Sequence, residues 1–212
     1  MFLSGEKHCK FKHLICLYRI IYMDDFWFYF SLGWQHIISK DALDHQLFII
    51  ALGAVYTFRD IKQVLIMVTA FTIGHSLTLI LSVADIIQFP VEWVEFFIPC
   101  TIFITALNNL FTKTFSFRTN YYLALIFGFI HGMGFANSIR IMLAKDQNIG
   151  LGLFGFNVGL EAGQIIIIAV LLSLTAISLK YIKIKHRNWV FFLSSGVFAL
   201  ALKMAIERIP FD

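Results

Sequence analysis

The sequence contains six long apolar runs that carry very little charge. They cover residues 42–58, 64–83, 91–111, 121–143, 153–179 and 189–206. Each run has about the length that a helix needs to cross roughly 30 Å of hydrocarbon. Apolar residues make up 59% of the chain, whereas soluble domains contain roughly 45–50%. We therefore expect an all-α integral membrane protein, with residues 23–212 forming a single bundle of six transmembrane helices.

The charges and cysteines exclude several functional classes. The net charge of +4 comes mainly from Lys and Arg in the connections, which is typical of topology signals and not of a nucleic-acid surface. The three cysteines form no C-x-x-C pair, which argues against a thiolate zinc site or a disulfide scaffold. Phosphate-loop, zinc-protease and serine-hydrolase motifs are also absent. The expected partners are the lipid bilayer and a small ligand, with a homo-oligomer left open.

The basic residues predict an orientation in the membrane. If six helices alternate, eight basic residues share one side: Arg59, Lys62, Lys113, Arg118, Lys180, Lys183, Lys185 and Arg187. The positive-inside rule places that side in the cytoplasm. Both ends of the six-helix core then face the periplasmic side of a bacterial inner membrane.

The N-terminal segment conflicts with this orientation, because residues 1–22 carry several basic side chains that would have to cross the membrane. We expect translation to begin at Met23, with residues 1–22 as an untranslated extension. The aromatic stretch FWFYF at residues 26–30 predicts a short interfacial or re-entrant helix at the outer surface. The 24 phenylalanines are interpreted as lipid-facing bulk, and the tryptophans as interface anchors.

Few ionisable residues interrupt the predicted spans, and each is a functional candidate because charge is costly in hydrocarbon. His75 and Glu161 lie about 12 Å from the outer ends of their spans, by helical rise. His131 lies near the middle of the fourth span, and Glu95 lies near the outer end of the third. Asp44 and His45 begin the first span on the same side, and His36 precedes them. We expect these groups to occupy one layer, between the outer rim and the middle of the membrane.

The fifth span carries a polar stripe beside a glycine stripe. Its polar members are Asn157, Glu161 and Gln164, which share one helix face by their spacing. Glycines recur every fourth residue alongside, at 155, 159 and 163. Small residues at this spacing allow a neighbouring helix to approach closely, which would keep the polar stripe away from lipid.

The combination of imidazole and carboxylate without thiolate indicates a transition metal such as Ni, Co, Zn, Fe or Mn. The predicted metal ligands are Asp44, His45, His75, His131 and His36. Glu95, Glu161, Gln164 and Asn157 are predicted to orient the imidazoles or to carry protons. We expect no tightly bound cofactor, because the metal would be the transported substrate.

Several segments of the chain resemble the HupE/UreJ family of bacterial membrane proteins. The resemblance extends from about residue 30 to residue 172 and includes GWQHIISKDALDHQLFIIAL, FTIGHSLTL, VEFFIPCTIFITALNNLF, FGFIHGMGFA and GLEAGQI. It implies an inner-membrane protein of six to seven helices, from a family found beside hydrogenase and urease genes and regarded as nickel or cobalt permeases. The family's histidine motifs correspond to His36, Asp44, His45, His75 and His131. Seven residues separate His36 from Asp44 here, whereas five, with a glycine among them, are common in the family.

These features favour a secondary permease for a divalent transition-metal ion of the nickel or cobalt class. Three alternatives remain open. The chief one is an intramembrane zinc-dependent hydrolase acting on a lipid, because three histidines and an aspartate can also hold an activated water. The others are a haem-binding electron carrier with His75 and His131 as axial ligands, and a helical assembly partner whose polar residues join helices.

Overall fold

The computed structural model describes residues 23–112, 116–143 and 149–210, with side chains described in all of these except 136–143 and 149. The predicted extension, residues 1–22, lies outside the described residues. All regular structure within the described ranges is helical. The seven α-helices are α1 (23–38), α2 (Leu43–Gly53), α3 (Ile61–Val83), α4 (Val91–Phe111), α5 (Phe117–Leu143), α6 (Ile149–Lys180) and α7 (His186–Glu207). Short 3-10 helices at Lys40–Ala42 and Phe58–Asp60 precede α2 and α3.

Four helices are long and apolar enough to cross a membrane. They are Phe58–Val83, Val91–Phe111, Gly150–Lys180 and His186–Glu207, which correspond to the second, third, fifth and sixth predicted spans. The fourth predicted span, 121–143, lies within the 27-residue helix α5, part of whose side chains are outside the described set. The structure therefore confirms an all-helical chain with four candidate spans, but not the count of six.

The first predicted span, 42–58, is not one continuous helix. Within it α2 has only 11 residues, or about 16 Å, which is too short to cross the membrane alone. The turn that follows is buried, with Ala54 0% and Tyr56 5% exposed. Its polar groups are satisfied by protein: Asn109 Nδ2 donates to the Ala51 carbonyl at 2.7 Å, and Asn120 Nδ2 donates to Tyr56 Oη at 2.8 Å. Backbone that leaves a helix at membrane depth needs such partners.

Helices α1 and α2 are joined by a break that one side chain stabilises. Gln46 Nε2, in the first turns of α2, donates to the last carbonyls of α1, at 3.2 Å from Ile37 O and 3.3 Å from Ile38 O. It also donates to Ser39 O at 2.9 Å. Carbonyls at a helix end have no partner within the helix, so Gln46 supplies one from the next helix. The break is therefore a defined structure.

Both pieces of this broken helix run in the same direction along α6. Glycines of α6 receive α1, because a Cβ at Gly159 would overlap the Phe30 carbonyl, and one at Gly163 would touch Ile37. Farther along, Gly53 of α2 faces Ile168 and Leu171 of α6. The predicted close approach at the glycine stripe is confirmed, and its partner is α1. The 26–30 segment thus packs on α6, with Tyr29 only 1% exposed.

Helices α3 and α5 form the closest helix pair of the bundle. A Cβ at Gly128 would overlap the carbonyl oxygen of Phe71, and one at Gly132 would overlap that of His75. Gly74 faces the Leu125 carbonyl in the same way. Only hydrogen at these positions lets the two backbones touch. This contact determines where the histidines of α3 and α5 lie.

Candidate metal-ion site

The glycine contact between α3 and α5 brings His75 and His131 to one level. His75 is 0% exposed and His131 1% exposed. Each follows or precedes a glycine of the contact, so the two imidazoles leave the backbone where the helices are closest. This pair could be anticipated from the FTIGHSLTL and FGFIHGMGF segments, since both place a glycine next to the histidine.

The break between α1 and α2 supplies the other two imidazoles. His36 lies in the last turn of α1, and His45 lies in the first turn of α2. Their ring centroids are 4.7 Å apart. The seven-residue separation does not keep His36 away, because the 3-10 turn at Lys40–Ala42 folds the chain back within that distance.

Together the four histidines form one imidazole cluster, defined as His36, His45, His75 and His131. The centroid of the His45 ring is 4.5 Å from that of His131 and 6.3 Å from that of His75. The His36 and His75 centroids are 6.2 Å apart. Metal–nitrogen bonds of about 2.0–2.1 Å place the centroids of two ligating rings roughly 4.5–6.5 Å apart, depending on the coordination angle. The ring separations therefore suit a shared ion.

The nitrogens of the cluster are buried without hydrogen-bond partners among the described residues. Both ring nitrogens of His75 and of His131 are in this state, as are Nε2 of His36 and Nε2 of His45. Most buried polar atoms in folded proteins are hydrogen-bonded, and an unsatisfied one costs about 1–3 kcal/mol. Six such atoms in one place indicate a site whose ligand completes the bonding.

The donor atoms are not yet arranged around a single point. Within the part of the chain that the structure describes, no three His, Cys, Asp or Glu side chains have the donor geometry of a metal centre. The cluster is thus gathered by the backbone but not closed. Rotation of the imidazoles about their side-chain bonds is needed before they can bind one ion.

Aromatic rings enclose the cluster on its membrane side. Phe71 and Phe156 stack on opposite neighbours of the His75 ring, with centroids 6.0 and 6.2 Å away and interplanar angles of 21° in both cases. Phe135 lies 4.0 Å from His36 and stacks on Phe156 at 5.0 Å. The interpretation of phenylalanine as lipid-facing bulk is wrong for these residues. Phe71 and Phe156 are buried, and they exclude water from the imidazoles.

One side of the cluster opens into a cavity of about 320 Å³. Its wall includes three of the four histidines, all but His75, together with three carboxylate residues and one arginine. The charged members are Asp41, Asp44, Glu95 and Arg208. Asp41 was interpreted as an exposed loop carboxylate, and it is exposed, but it also contributes to this wall. The excess of carboxylates makes the cavity attractive to cations.

Asp44 is held in an ion pair that the sequence did not indicate. Arg208 Nη1 donates to Asp44 Oδ2 at 3.0 Å, and the two side chains are 32% and 16% exposed. The other carboxylate oxygen, Oδ1, is buried with no hydrogen-bond partner among the described residues. Glu95 is exposed, and its main-chain oxygen lies 3.5 Å from the same Nη1 atom. No sequence motif pairs Arg208 with the start of α2, since the two are at opposite ends of the core.

The polar stripe of α6 faces α3 and not the imidazoles. Thr69 Oγ1 donates to Glu161 Oε1 at 2.7 Å, and Thr72 Oγ1 donates to Gln164 Oε1 at 3.1 Å. Asn157 donates within its own helix, to the Leu153 carbonyl at 2.7 Å. None of these side chains hydrogen-bonds an imidazole of the cluster in the described structure. Their predicted role in orienting the imidazoles has no hydrogen bond to support it, and proton transfer stays a prediction.

Comparison with known proteins gives one match that covers nearly the whole chain. A family model described as "HupE / UreJ protein" matches residues 15–208. The curated proteins and the solved structures give no match.

Proposed function

This chain belongs to the HupE/UreJ family, which is linked to nickel and cobalt transport, and we propose that it is a secondary permease for a divalent transition-metal ion. The observation that carries the proposal is the imidazole cluster, in which six buried nitrogen atoms lack hydrogen-bond partners. Neutral imidazole suits Ni, Co, Zn and Fe, whereas Ca and Mg prefer oxygen ligands. Within this range nickel and cobalt are the proposed substrates.

The ion would reach the imidazoles through the cavity. Carboxylates of its wall attract the hydrated cation, and Asp44 and His45 are the first groups that replace its water. His36, His131 and His75 then complete the coordination. The cavity faces the side on which α4 begins and α7 ends. The positive-inside rule makes that side periplasmic in a bacterial inner membrane.

The broken helix supports a transport role for the site. Secondary transporters commonly bind their substrates where a membrane helix is interrupted, because free backbone groups and helix ends are available there. Here His36 and His45 lie on the two sides of the interruption. If α1 and α2 together make one crossing, and α5 makes another, the bundle has six crossings with its N-terminal helix beginning outside.

The remaining polar residues are proposed to serve coupling. Glu161 is partly buried and hydrogen-bonded to Thr69, while Glu95 lines the cavity. A carboxylate at either place can accept a proton as the ion leaves. The described geometry offers Glu161 no direct contact with the imidazoles, so this coupling would act through helix movement.

Uptake into proteoliposomes tests the permease proposal. The full chain is reconstituted, and uptake of Ni²⁺, Co²⁺, Zn²⁺ and Fe²⁺ is measured for the wild type and for a His75→Ala, His131→Ala variant. We expect the double variant to lose uptake. His186→Gln is the matched control, because His186 begins α7 and lies outside the cluster.

Two results would contradict the proposal. Uptake that survives in the double variant would remove the cluster from transport. Tightly retained zinc together with cleavage of a lipid, and no uptake of any ion, would instead support the hydrolase.

A further inference from the structure

Arg208 occupies a position that a cation-binding cavity would not be expected to hold. It is the one basic residue in the described wall of the cavity, opposite Asp41, Asp44 and Glu95. Its guanidinium is paired with Asp44 at 3.0 Å. The carboxylate best placed to receive an incoming ion is therefore already neutralised by a cation of the chain itself.

The geometry of Asp44 shows that this pairing uses only half of the carboxylate. Oδ2 accepts the guanidinium, whereas Oδ1 is buried and has no hydrogen-bond partner in the described structure. His45, the next residue, belongs to the imidazole cluster and also has an unpartnered nitrogen. A divalent ion bound by Oδ1 and the imidazoles would lie close to the guanidinium. Two positive charges at that distance repel each other strongly in a partly buried site.

We propose that Arg208 is an internal competitor of the metal ion, which holds Asp44 while the site is empty and leaves it when the ion binds. The proposal rests on the permease function and identifies how its site is kept closed. It assigns Arg208 a role in setting the affinity and selectivity of the site. A monovalent ion replaces the guanidinium with no gain in charge, whereas a divalent ion gains attraction to Asp44.

The position of Arg208 permits this exchange. It directly follows the last turn of α7, where its backbone N–H donates to the Met204 carbonyl. The side chain is 32% exposed, so it can swing toward water without unfolding the helix. Because Asp44 begins α2 and Arg208 ends α7, breaking the pair also releases a contact between these helices. Ion binding would thereby loosen the outer side of the bundle.

Removing the competitor should tighten ion binding. We would measure Ni²⁺ affinity by calorimetry on the purified full chain, comparing wild type, Arg208→Gln and Arg208→Lys. Arg208→Gln is expected to bind Ni²⁺ about 5-fold or more tightly, the lower end of couplings between two sites in a protein. Arg208→Lys keeps the charge and should remain near the wild type. Asp44→Asn should weaken binding.

Lys203→Gln is the matched control, since it removes one positive charge from the same helix. Lys203 is exposed and pairs only with Glu207 in the described structure, at 3.6 Å. A purely structural role for Arg208 predicts weaker binding on its loss, which is the opposite sign. Unchanged or weaker binding in Arg208→Gln would overturn the proposal. Equal tightening in Arg208→Lys or in Lys203→Gln would also overturn it.

A measurement on the wild-type chain avoids any effect of substitution on folding. Modification of arginines by phenylglyoxal, followed by mass spectrometry, is compared with and without Ni²⁺. Arg208 should react faster when Ni²⁺ is present, while Arg187 should not change. No increase at Arg208 would contradict the proposal. If Ni²⁺ binding is absent, or is independent of His45 and His131, the permease proposal itself fails, which is a different outcome.

Discussion

The imidazole of His45 lies 4.5 Å from that of His131, measured between ring centroids. One residue begins a short helix after a break, and the other lies within a long helix that glycines hold against α3. Their meeting therefore depends on two separate features, the α1–α2 break and the α3–α5 glycine contact. Each feature can be disturbed without changing an imidazole.

The glycine contact is expected to be essential for the site. Gly128→Ala adds a methyl group that overlaps the Phe71 carbonyl and approaches the His75 backbone nitrogen. Overpacking of this kind typically costs about 1–3 kcal/mol, and it should separate His75 from His131. We expect a lower thermal midpoint and weaker Ni²⁺ binding, measured on detergent-solubilised protein.

Gly196→Ala is the control for this substitution, because a Cβ at Gly196 meets no atom within 4 Å. The change should leave stability unaltered or raise it slightly, since alanine favours the helix by about 0.5–1 kcal/mol over glycine. Equal destabilisation by the two substitutions would contradict the contact described between α3 and α5.

The break between α1 and α2 is expected to depend on Gln46. In Gln46→Ala the carbonyls of Ile37, Ile38 and Ser39 lose the donor that now serves them. Unsatisfied buried groups cost about 1–3 kcal/mol each, so the thermal midpoint should fall. Ni²⁺ affinity should fall as well, because His36 and His45 flank the break.

Gln35→Ala is the comparison, since Gln35 bonds only to Ser31 on an exposed face of α1 in the described structure. It should change neither quantity by more than experimental error. If Gln46→Ala keeps wild-type Ni²⁺ affinity, the break does not position the two imidazoles.

Ion binding is expected to weaken on acidification. A metal ligand must be the neutral imidazole, and the ordinary pKa of histidine is about 6.5. As pH falls, protons compete with the metal for the same nitrogens, so Ni²⁺ affinity should decrease from pH 8 to pH 5.5. With several imidazoles bound, the decrease should exceed tenfold per pH unit at the acidic end, by proton competition. Calorimetry across this range measures it.

A His45→Gln, His131→Gln variant provides the reference for the pH series. Its residual binding should be weaker and should depend less on pH, because two titrating ligands have been removed. A pH dependence identical to that of the wild type would show that other groups bind the ion.

Arg187 is expected to stabilise the fold without affecting ion binding. Its guanidinium donates to main-chain carbonyls at the end of α4, with Nη1 2.8 Å from Asn109 O and 2.9 Å from Thr112 O. Hydrogen bonds from charged donors contribute about 1.5–3 kcal/mol each. Arg187→Ala should lower the thermal midpoint, whereas Ni²⁺ affinity of the folded fraction should stay near the wild-type value. A specific loss of affinity would mean that the α4–α7 contact controls the site.

The membrane character of the chain and the identity of its imidazoles could be predicted from the sequence. Long apolar runs have no other stable arrangement in lipid than helices, and histidines within them are rare enough to be noticed individually. The glycine stripe of α6 was also predicted to bring a helix close, which the α1 contact confirms. These inferences depend on local periodicity and solvation, which any single segment of the chain already contains.

Other features depended on distant residues and could not be predicted. The first apolar run reads as one span because hydropathy does not reveal that Asn109 and Asn120 can satisfy a buried turn within it. Phe71 and Phe156 read as lipid-facing because composition does not distinguish a ring against lipid from one against an imidazole. The carboxylates of the α6 stripe read as partners of the site, although their hydrogen bonds lead to α3.

The sequence by itself determined that imidazoles and carboxylates enter a helical membrane protein at similar depths, because apolar length and helical rise convert residue number directly into depth. Only the tertiary structure decided which of them meet. Contacts between backbones at glycines and a side chain that caps a helix break set the lateral positions, and an ion pair between Asp44 and Arg208 set the charge at the mouth. Lateral position is a property of pairs of helices, so no single segment encodes it.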